Sequence, residues 1–190
     1  MDGHRWFRYT ALVALALCWV TIILGGNVIA SDSGLGCSTW PSCNGTFFPP
    51  IAGAMGIEWV HRVSAFFLAL SIAILTALAL AYERGRPALL RLTLGALVLV
   101  VVLALLGGAV VDSDLNIGLV LLHFGIATIL FGILLILALL SIWRHLPERW
   151  LLWARRATEP RAAAPAPEPS AAIDPRPRSY GSDASSAGRS

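Results

Sequence analysis

The chain has 190 residues, of which 57% are hydrophobic and 13% are charged, and its formal net charge is +3. Together with a mean hydropathy of +0.74, these values exclude an ordinary soluble globular domain and are typical of membrane proteins. We expect no nucleic-acid partner.

Four apolar stretches are long enough to cross a bilayer as helices, since about 20 apolar residues span roughly 30 Å of hydrocarbon. We therefore predict an all-α membrane protein, a bundle of four transmembrane helices. The predicted spans are Tyr9–Ala30, Ile57–Tyr82, Leu92–Val111 and Gly118–Trp143. A cleaved signal peptide is the alternative for the first span, but no clear small-x-small cleavage site follows its long apolar run, so we expect it to be retained.

Arginines mark one side of the predicted membrane. They precede the first span, fill the second loop and follow the fourth span, whereas the other two loops hold no Lys or Arg. The arginines concerned are Arg5, Arg8, Arg84, Arg86, Arg91, Arg144, Arg149, Arg155 and Arg156. Because short cytoplasmic loops are enriched in basic residues, we predict a multi-pass protein of the cell membrane with both termini in the cytoplasm.

The composition changes near the C-terminus. We predict one transmembrane domain over residues 1–157. From residue 158 to residue 190 the chain is rich in Pro, Ala, Ser, Gly and Arg. Such a segment cannot bury enough apolar surface to offset the entropy of ordering it, so we predict a disordered cytoplasmic tail.

The loop after the first span carries two cysteines, Cys37 and Cys43, on the side of the membrane opposite the arginines. That side is oxidising, and Pro41 with the flanking glycines supplies the turn that a small disulfide ring requires. A structural disulfide is one interpretation. A redox-active pair is another, because exposed or strained disulfides exchange more readily. Metal binding is less favoured, since two cysteines with no nearby His form an incomplete site.

An internal repeat relates the two halves of the membrane domain. "GGNVIASDS" at the end of the first span (residues 25–33) matches "GGAVVDSD" at the end of the third (residues 107–114). His61 in the second span then corresponds to His123 in the fourth, and Ala65 corresponds to Ala127. The bundle is therefore predicted to consist of two copies of one helical hairpin.

The repeat predicts that His61 and His123 face each other. Both hairpins run in the same direction, so a pseudo-twofold axis along the membrane normal would bring both imidazoles to the same depth. Zinc usually needs four ligands, whereas haem iron needs only two axial ones. Ala65, Ala69 and Ala127 leave room for a flat macrocycle. Bis-histidine haem is the best physical fit, the alternative being histidines hydrogen-bonded between helices.

The predicted spans contain two charged side chains, Glu58 and Arg62, both beside His61 in "EWVHR". Charge inside a membrane is costly and is usually functional or paired. Glu58 is a candidate to orient the imidazole or to transfer a proton at the haem edge. Arg62 is a candidate to bind a haem propionate, to pair with Glu58 or to reach the outer headgroups.

The motifs "SGLGCSTWPSCNG" (residues 33–45) and "EWVHR" (residues 58–62), in this order, resemble the haem A synthase family, known as CtaA in bacteria. The resemblance covers the four spans and leaves out the tail. It implies a membrane oxidoreductase that oxidises the C8 methyl group of haem O to a formyl group. The product, haem A, serves terminal oxidases.

Carried over residue by residue, the resemblance implies axial haem ligands at His61 and His123 and a catalytic carboxylate at Glu58. It also implies a role for Cys37 and Cys43 in redox or haem handling, haem b, haem O or haem A as cofactor, and haem O as substrate. Typical members have eight spans in two four-helix halves, and this chain resembles the first half. We therefore expect a homodimer or a second half-length homologue as partner, with haem O synthase and a terminal oxidase as further partners.

Two other functions stay open. The first is a non-catalytic b-type haem protein that carries electrons or delivers haem with the same two histidines. The second is a small-solute transporter that uses His61 and Glu58 as a proton relay. A transporter would show no Soret band after purification.

Overall fold

The structure, a computed structural model, describes residues 3–143. It contains four helices, α1 (Gly3–Ala30), α2 (Gly53–Tyr82), α3 (Pro87–Asp112) and α4 (Ile117–Trp143). Each is long and apolar enough to cross a membrane, which confirms the predicted all-α, four-span fold. The tail predicted from residue 158 and the arginines after Trp143 lie outside the described residues.

The helices begin earlier than the predicted spans but end at nearly the same residues. α1 begins at Gly3 rather than Tyr9, and α3 begins at Pro87 rather than Leu92. The predictions marked the apolar stretch, whereas the helical hydrogen bonds continue into the polar interface. Proline suits the first turn of α3, where its missing N–H would have no helical partner.

The first and third helices end in the same backbone conformation. Each is followed by an aspartate in the left-handed region, with φ of 50° at Asp32 and 51° at Asp114. In both, the next N–H donates over 2.9 Å to a carbonyl five residues back, Ser33 to Val28 and Leu115 to Val110. This pattern is a Schellman-type helix end. The internal repeat predicted from the sequence is therefore confirmed at the level of the backbone.

The helices form a four-cornered bundle. α1 and α3 each pack against α2 and α4, so α2 and α4 lie on one diagonal. The buried residues of α1 follow heptad spacing, which is typical of helices that pack side by side; they include Phe7, Ala11, Ala14, Cys18, Thr21 and Val28. Small side chains let neighbouring helices approach closely. Cys18 is fully buried in this seam and serves there as a small packing residue.

Candidate functional site

A cavity of about 560 Å³ lies in the half of the bundle that contains the loop between α1 and α2. All four helices and that loop contribute to its wall, which is mostly apolar. Its volume falls within the range of small-molecule and cofactor sites, about 300–1,000 Å³. His61, His123, Glu58 and Arg62 all line it. The structure therefore brings together four of the residues that the sequence singled out.

The two histidines occupy equivalent places in the cavity wall. His61 lies on α2 and His123 on the diagonal helix α4, and both side chains are half-buried. A methyl group added to Gly25 would lie 3.0 Å from Cε1 of His61, and one added to Gly107 would lie 3.5 Å from Cε1 of His123. The first glycine of each repeated Gly-Gly pair therefore provides the space in which an imidazole packs.

The polar atoms of the cavity wall fit a bound metal-containing group. The Nδ1 atoms of both histidines and Oγ1 of Thr21 are buried without a hydrogen-bond partner among residues 3–143. Buried polar atoms in native proteins are rarely unpaired, so the unpaired Thr21 hydroxyl on the cavity wall indicates a ligand. Ala65, Ala69 and Ala127 line the same cavity and leave it open. These residues fit a haem.

Glu58 is 3% exposed, and both of its carboxylate oxygens accept hydrogen bonds. Its Oε2 accepts from the backbone N–H of Cys37 at 2.8 Å. Its Oε1 accepts from Nε of Arg62 at 3.1 Å and also from Nη2 of Arg62. The carboxylate thus joins α2 to the cysteine-bearing loop, and its charge is compensated by a guanidinium one helical turn away.

Arg62 uses all of its donors in this contact. Besides Glu58, its guanidinium donates to the carbonyls of Thr39 at 2.6 Å, Ser42 at 3.0 Å and Cys37 at 3.1 Å. An arginine has five N–H groups, and five hydrogen bonds are formed. Of the three roles predicted for Arg62, the structure therefore shows the pairing with Glu58. Contact with a haem propionate would require one of these bonds to break.

The loop cysteines form a disulfide between Cys37 and Cys43, which confirms the predicted bond. Both residues are almost fully buried, at 0% and 1% exposure. Burial shields the sulfurs from thiols and favours the structural interpretation, since exchange requires access. Redox activity stays a prediction. No cluster of three or more His, Cys, Asp or Glu side chains suited to a metal ion occurs in residues 3–143.

Two residues of the site were missed from the sequence. Trp40 of the loop lines the cavity and packs on Gly108 of α3, where an added methyl would lie 3.1 Å from the indole. The Trp-Pro pair was visible in the loop motif, but nothing local indicated that its indole reaches α3. Thr21 lies four residues before Gly25, one helical turn away on the same face of α1, and this spacing could have indicated it.

The chain is similar in sequence to known cytochrome oxidase assembly proteins and haem A synthases. A family described as "Cytochrome oxidase assembly protein" (COX15-CtaA) matches residues 52–165. The Heme A synthase of Bacillus pumilus is 35% identical over 137 residues, which cover 70% of this chain and 44% of the relative. The Heme A synthase of Symbiobacterium thermophilum is 39% identical over 127 residues, covering 64% and 39%.

A further relative, the Heme A synthase of Geobacillus thermodenitrificans, is 27% identical over 165 residues, which cover 87% of this chain and 51% of the relative. The chain therefore spans about half the length of the curated relatives it matches.

Proposed function

This chain belongs to the COX15-CtaA family of cytochrome oxidase assembly proteins, and we propose that it is a haem-binding unit of the haem A synthase type. The unit lies in the cell membrane with both termini in the cytoplasm. Its substrate is haem O, whose C8 methyl group is oxidised to a formyl group. In this proposal His61 and His123 hold the haem iron as axial ligands, and Glu58 is the catalytic carboxylate.

The observation that carries the proposal is the pair of equivalent imidazoles on one apolar cavity. Each packs on the first glycine of a repeated Gly-Gly pair, and both line the same cavity. Two equivalent imidazoles on diagonal helices that line one cavity are the arrangement that bis-histidine ligation of a planar group requires. Their open arrangement supports ligation of a planar group that enters the cavity.

A bound haem would supply the redox chemistry, and the chain supplies binding, orientation and proton handling. Written with water as the oxygen donor, the oxidation of a methyl to a formyl group is CH3 + H2O → CHO + 4 H+ + 4 e−, so it releases protons and needs an electron acceptor outside the described residues. Glu58 lines the cavity one helical turn from His61 and is the carboxylate available to take up such a proton. Arg62 fixes the orientation of this carboxylate through its hydrogen bonds to Oε1.

The partners follow from the same proposal. Haem b, haem O or haem A is the bound group, with haem O synthase as the supplier of substrate and a terminal oxidase as the destination of the product. The relatives contain about as much sequence again beyond the matched part. We therefore include a second four-helix unit, either another copy of this chain or a half-length homologue.

The test is to co-express the full chain with a source of haem O in a host that lacks its own haem A synthase. The haems are then extracted and identified by mass. We expect haem A with the natural chain, and a fall of about 100-fold or more with Glu58→Gln, the loss typical of a removed acid–base group. Glu83→Gln, which alters another buried carboxylate, is the matched control and should leave haem A formation intact.

A non-catalytic b-type haem carrier is the second candidate. It is favoured by the hydrogen bonds of Glu58, whose carboxylate is engaged by Arg62 and by the Cys37 N–H and could act as a structural link alone. A carrier would bind haem B, leave haem O unchanged and be indifferent to Glu58→Gln. That combination of results would remove the synthase function.

A further inference from the structure

Thr21 is an exception among the buried hydroxyl groups of the four helices. The others each donate to a backbone carbonyl of their own helix at 2.7 to 2.9 Å; they are Ser71, Thr76, Thr93 and Ser141. Hydroxyls buried in helices commonly satisfy themselves in this way. Thr21 is only 9% exposed, yet its Oγ1 has no partner in the described part of the chain.

The position of Thr21 directs this unpaired group at the candidate haem site. The residue lies on the buried seam of α1, one turn before Gly25, and lines the cavity. Its backbone is within reach of the His61 imidazole. A hydroxyl that stays unpaired in an apolar wall is unfavourable. A ligand that offers an acceptor at this point of the cavity would satisfy it.

The internal repeat shows that the bundle does not need a hydroxyl here. The residue of α3 that corresponds to Thr21 is Leu103, also four residues before the first glycine of its Gly-Gly pair. Leu103 lines the cavity from the other side and is 8% exposed. The same packing position is therefore filled by an apolar side chain in one hairpin and by a polar one in the other.

We propose that the Thr21 hydroxyl is a substrate-contacting residue that donates a hydrogen bond to an oxygen at the edge of the haem held by His61 and His123. This inference rests on the proposed function. The candidate acceptors differ between haems. Propionates occur in haem B, haem O and haem A, the hydroxyl of the farnesyl-bearing side chain occurs in haem O and haem A, and the formyl oxygen occurs in haem A alone.

The test measures the affinity of the haem-free full chain for each of these three haems, by titration followed at the Soret band. Thr21→Val keeps the shape of the side chain and removes the hydroxyl, and Thr21→Ser restores the hydroxyl. Thr128→Val makes the same change at an exposed hydroxyl outside the cavity lining. We expect Thr21→Val to weaken binding about 3- to 10-fold, the value of one hydrogen bond, and Thr21→Ser to recover most of it.

The set of haems affected identifies the acceptor. Weakening of all three indicates a propionate, weakening of haem O and haem A indicates the side-chain hydroxyl, and weakening of haem A alone indicates the formyl group. In the last case the formyl stretch in the resonance Raman spectrum should shift in Thr21→Val and return in Thr21→Ser.

Unchanged affinity of Thr21→Val for all three haems would overturn the inference. So would weakening that Thr21→Ser fails to recover, which would indicate a packing role. If Thr21→Val does not accumulate, Thr21→Ala is measured in its place with the same criteria. A natural chain that binds no haem would remove the proposed function and this inference together, whereas binding unaffected by the loss of the hydroxyl removes the inference alone.

Discussion

The hairpin α1–α2 and the hairpin α3–α4 share a backbone plan but differ in the chemistry that they present to the cavity. Both end their first helix in the same way, and both place a glycine against a histidine of their second helix. Under the proposed function, these shared parts are the ones that would hold the haem between two equivalent imidazoles. We call them the shared frame.

The hairpins differ in the polar groups that they present, which belong to the first hairpin. Three polar residues of its cavity wall are matched in the second hairpin by apolar ones, which also line the cavity; the pairs are Glu58 and Val120, Arg62 and Phe124, and Thr21 and Leu103. The first hairpin also carries the disulfide loop, whereas α3 and α4 are joined by a short turn. We therefore expect any chemistry beyond the proposed haem binding to take place beside His61, where these polar residues lie.

The largest expected effect concerns the shared frame. Replacing either His61 or His123 by alanine should abolish the low-spin bis-histidine spectrum of the purified protein, because an imidazole on each face is needed for six-coordinate iron. His4→Ala is the control, since His4 lies at the other end of the bundle beside Glu83. Absorption and electron paramagnetic resonance spectra check the outcome. A low-spin spectrum that survives either cavity substitution would show that the pair does not ligate haem.

The shared frame is also the part that the sequence predicted best. Four apolar stretches, the Gly-Gly repeat and the matched histidines are periodic or duplicated signals, and hydropathy and self-similarity detect such signals directly. The ends of the spans agreed with the helices at Ala30, Tyr82 and Trp143. The fold therefore followed from patterns that extend over many residues.

The polar side of the cavity was predicted only in part, because its contacts join residues that are distant in the chain. Glu58 and Arg62 are neighbours on one helix turn, so their pairing was among the expected roles. The bonds from Arg62 to the carbonyls of Thr39 and Ser42 depend on the loop conformation, which no local pattern encodes. The packing of Trp40 on α3 is likewise a tertiary contact.

An intermediate effect is expected where the first hairpin holds its loop. Arg62→Gln should raise the rate at which a water-soluble phosphine reduces the Cys37–Cys43 disulfide by about tenfold, since lost bonds to a charged group easily amount to the roughly 1.4 kcal/mol that corresponds to this factor. The sulfurs are buried, so reduction reports opening of the loop. Arg62→Lys has three donors instead of five, so its rate of disulfide reduction should lie between those of the natural chain and Arg62→Gln. Alkylation of the released thiols followed by mass measurement gives the rate.

The control for the loop experiment is Arg91→Gln, which changes an exposed arginine whose Nε donates to the Pro87 carbonyl. The disulfide of this variant should be reduced at the same rate as that of the natural chain. A haem content that falls in Arg62→Gln while the reduction rate stays unchanged would assign Arg62 to a haem propionate instead of the loop.

The smallest expected effect compares the two glycines on which the imidazoles pack. Alanine stabilises a helix interior by roughly 0.5–1 kcal/mol relative to glycine, and Gly26→Ala, whose added methyl would meet no atom within 4 Å, should show this gain in thermal unfolding. Gly107→Ala should raise the thermal stability by almost as much as Gly26→Ala, because its methyl would lie 3.5 Å from the His123 ring, an ordinary van der Waals distance. Gly25→Ala brings a methyl to 3.0 Å from the His61 ring, so the ring must shift.

We therefore expect Gly25→Ala to weaken haem binding about 2- to 5-fold, through a misplaced ligand, while Gly107→Ala binds as the natural chain does. Haem titration of the two variants decides, with Gly26→Ala as the reference for helix stabilisation alone. Equal haem affinities of Gly25→Ala and Gly107→Ala would show that both imidazoles can shift equally well to make room for a methyl group. The shared frame would then respond symmetrically to the two substitutions, and the difference between the hairpins would lie in their polar groups alone.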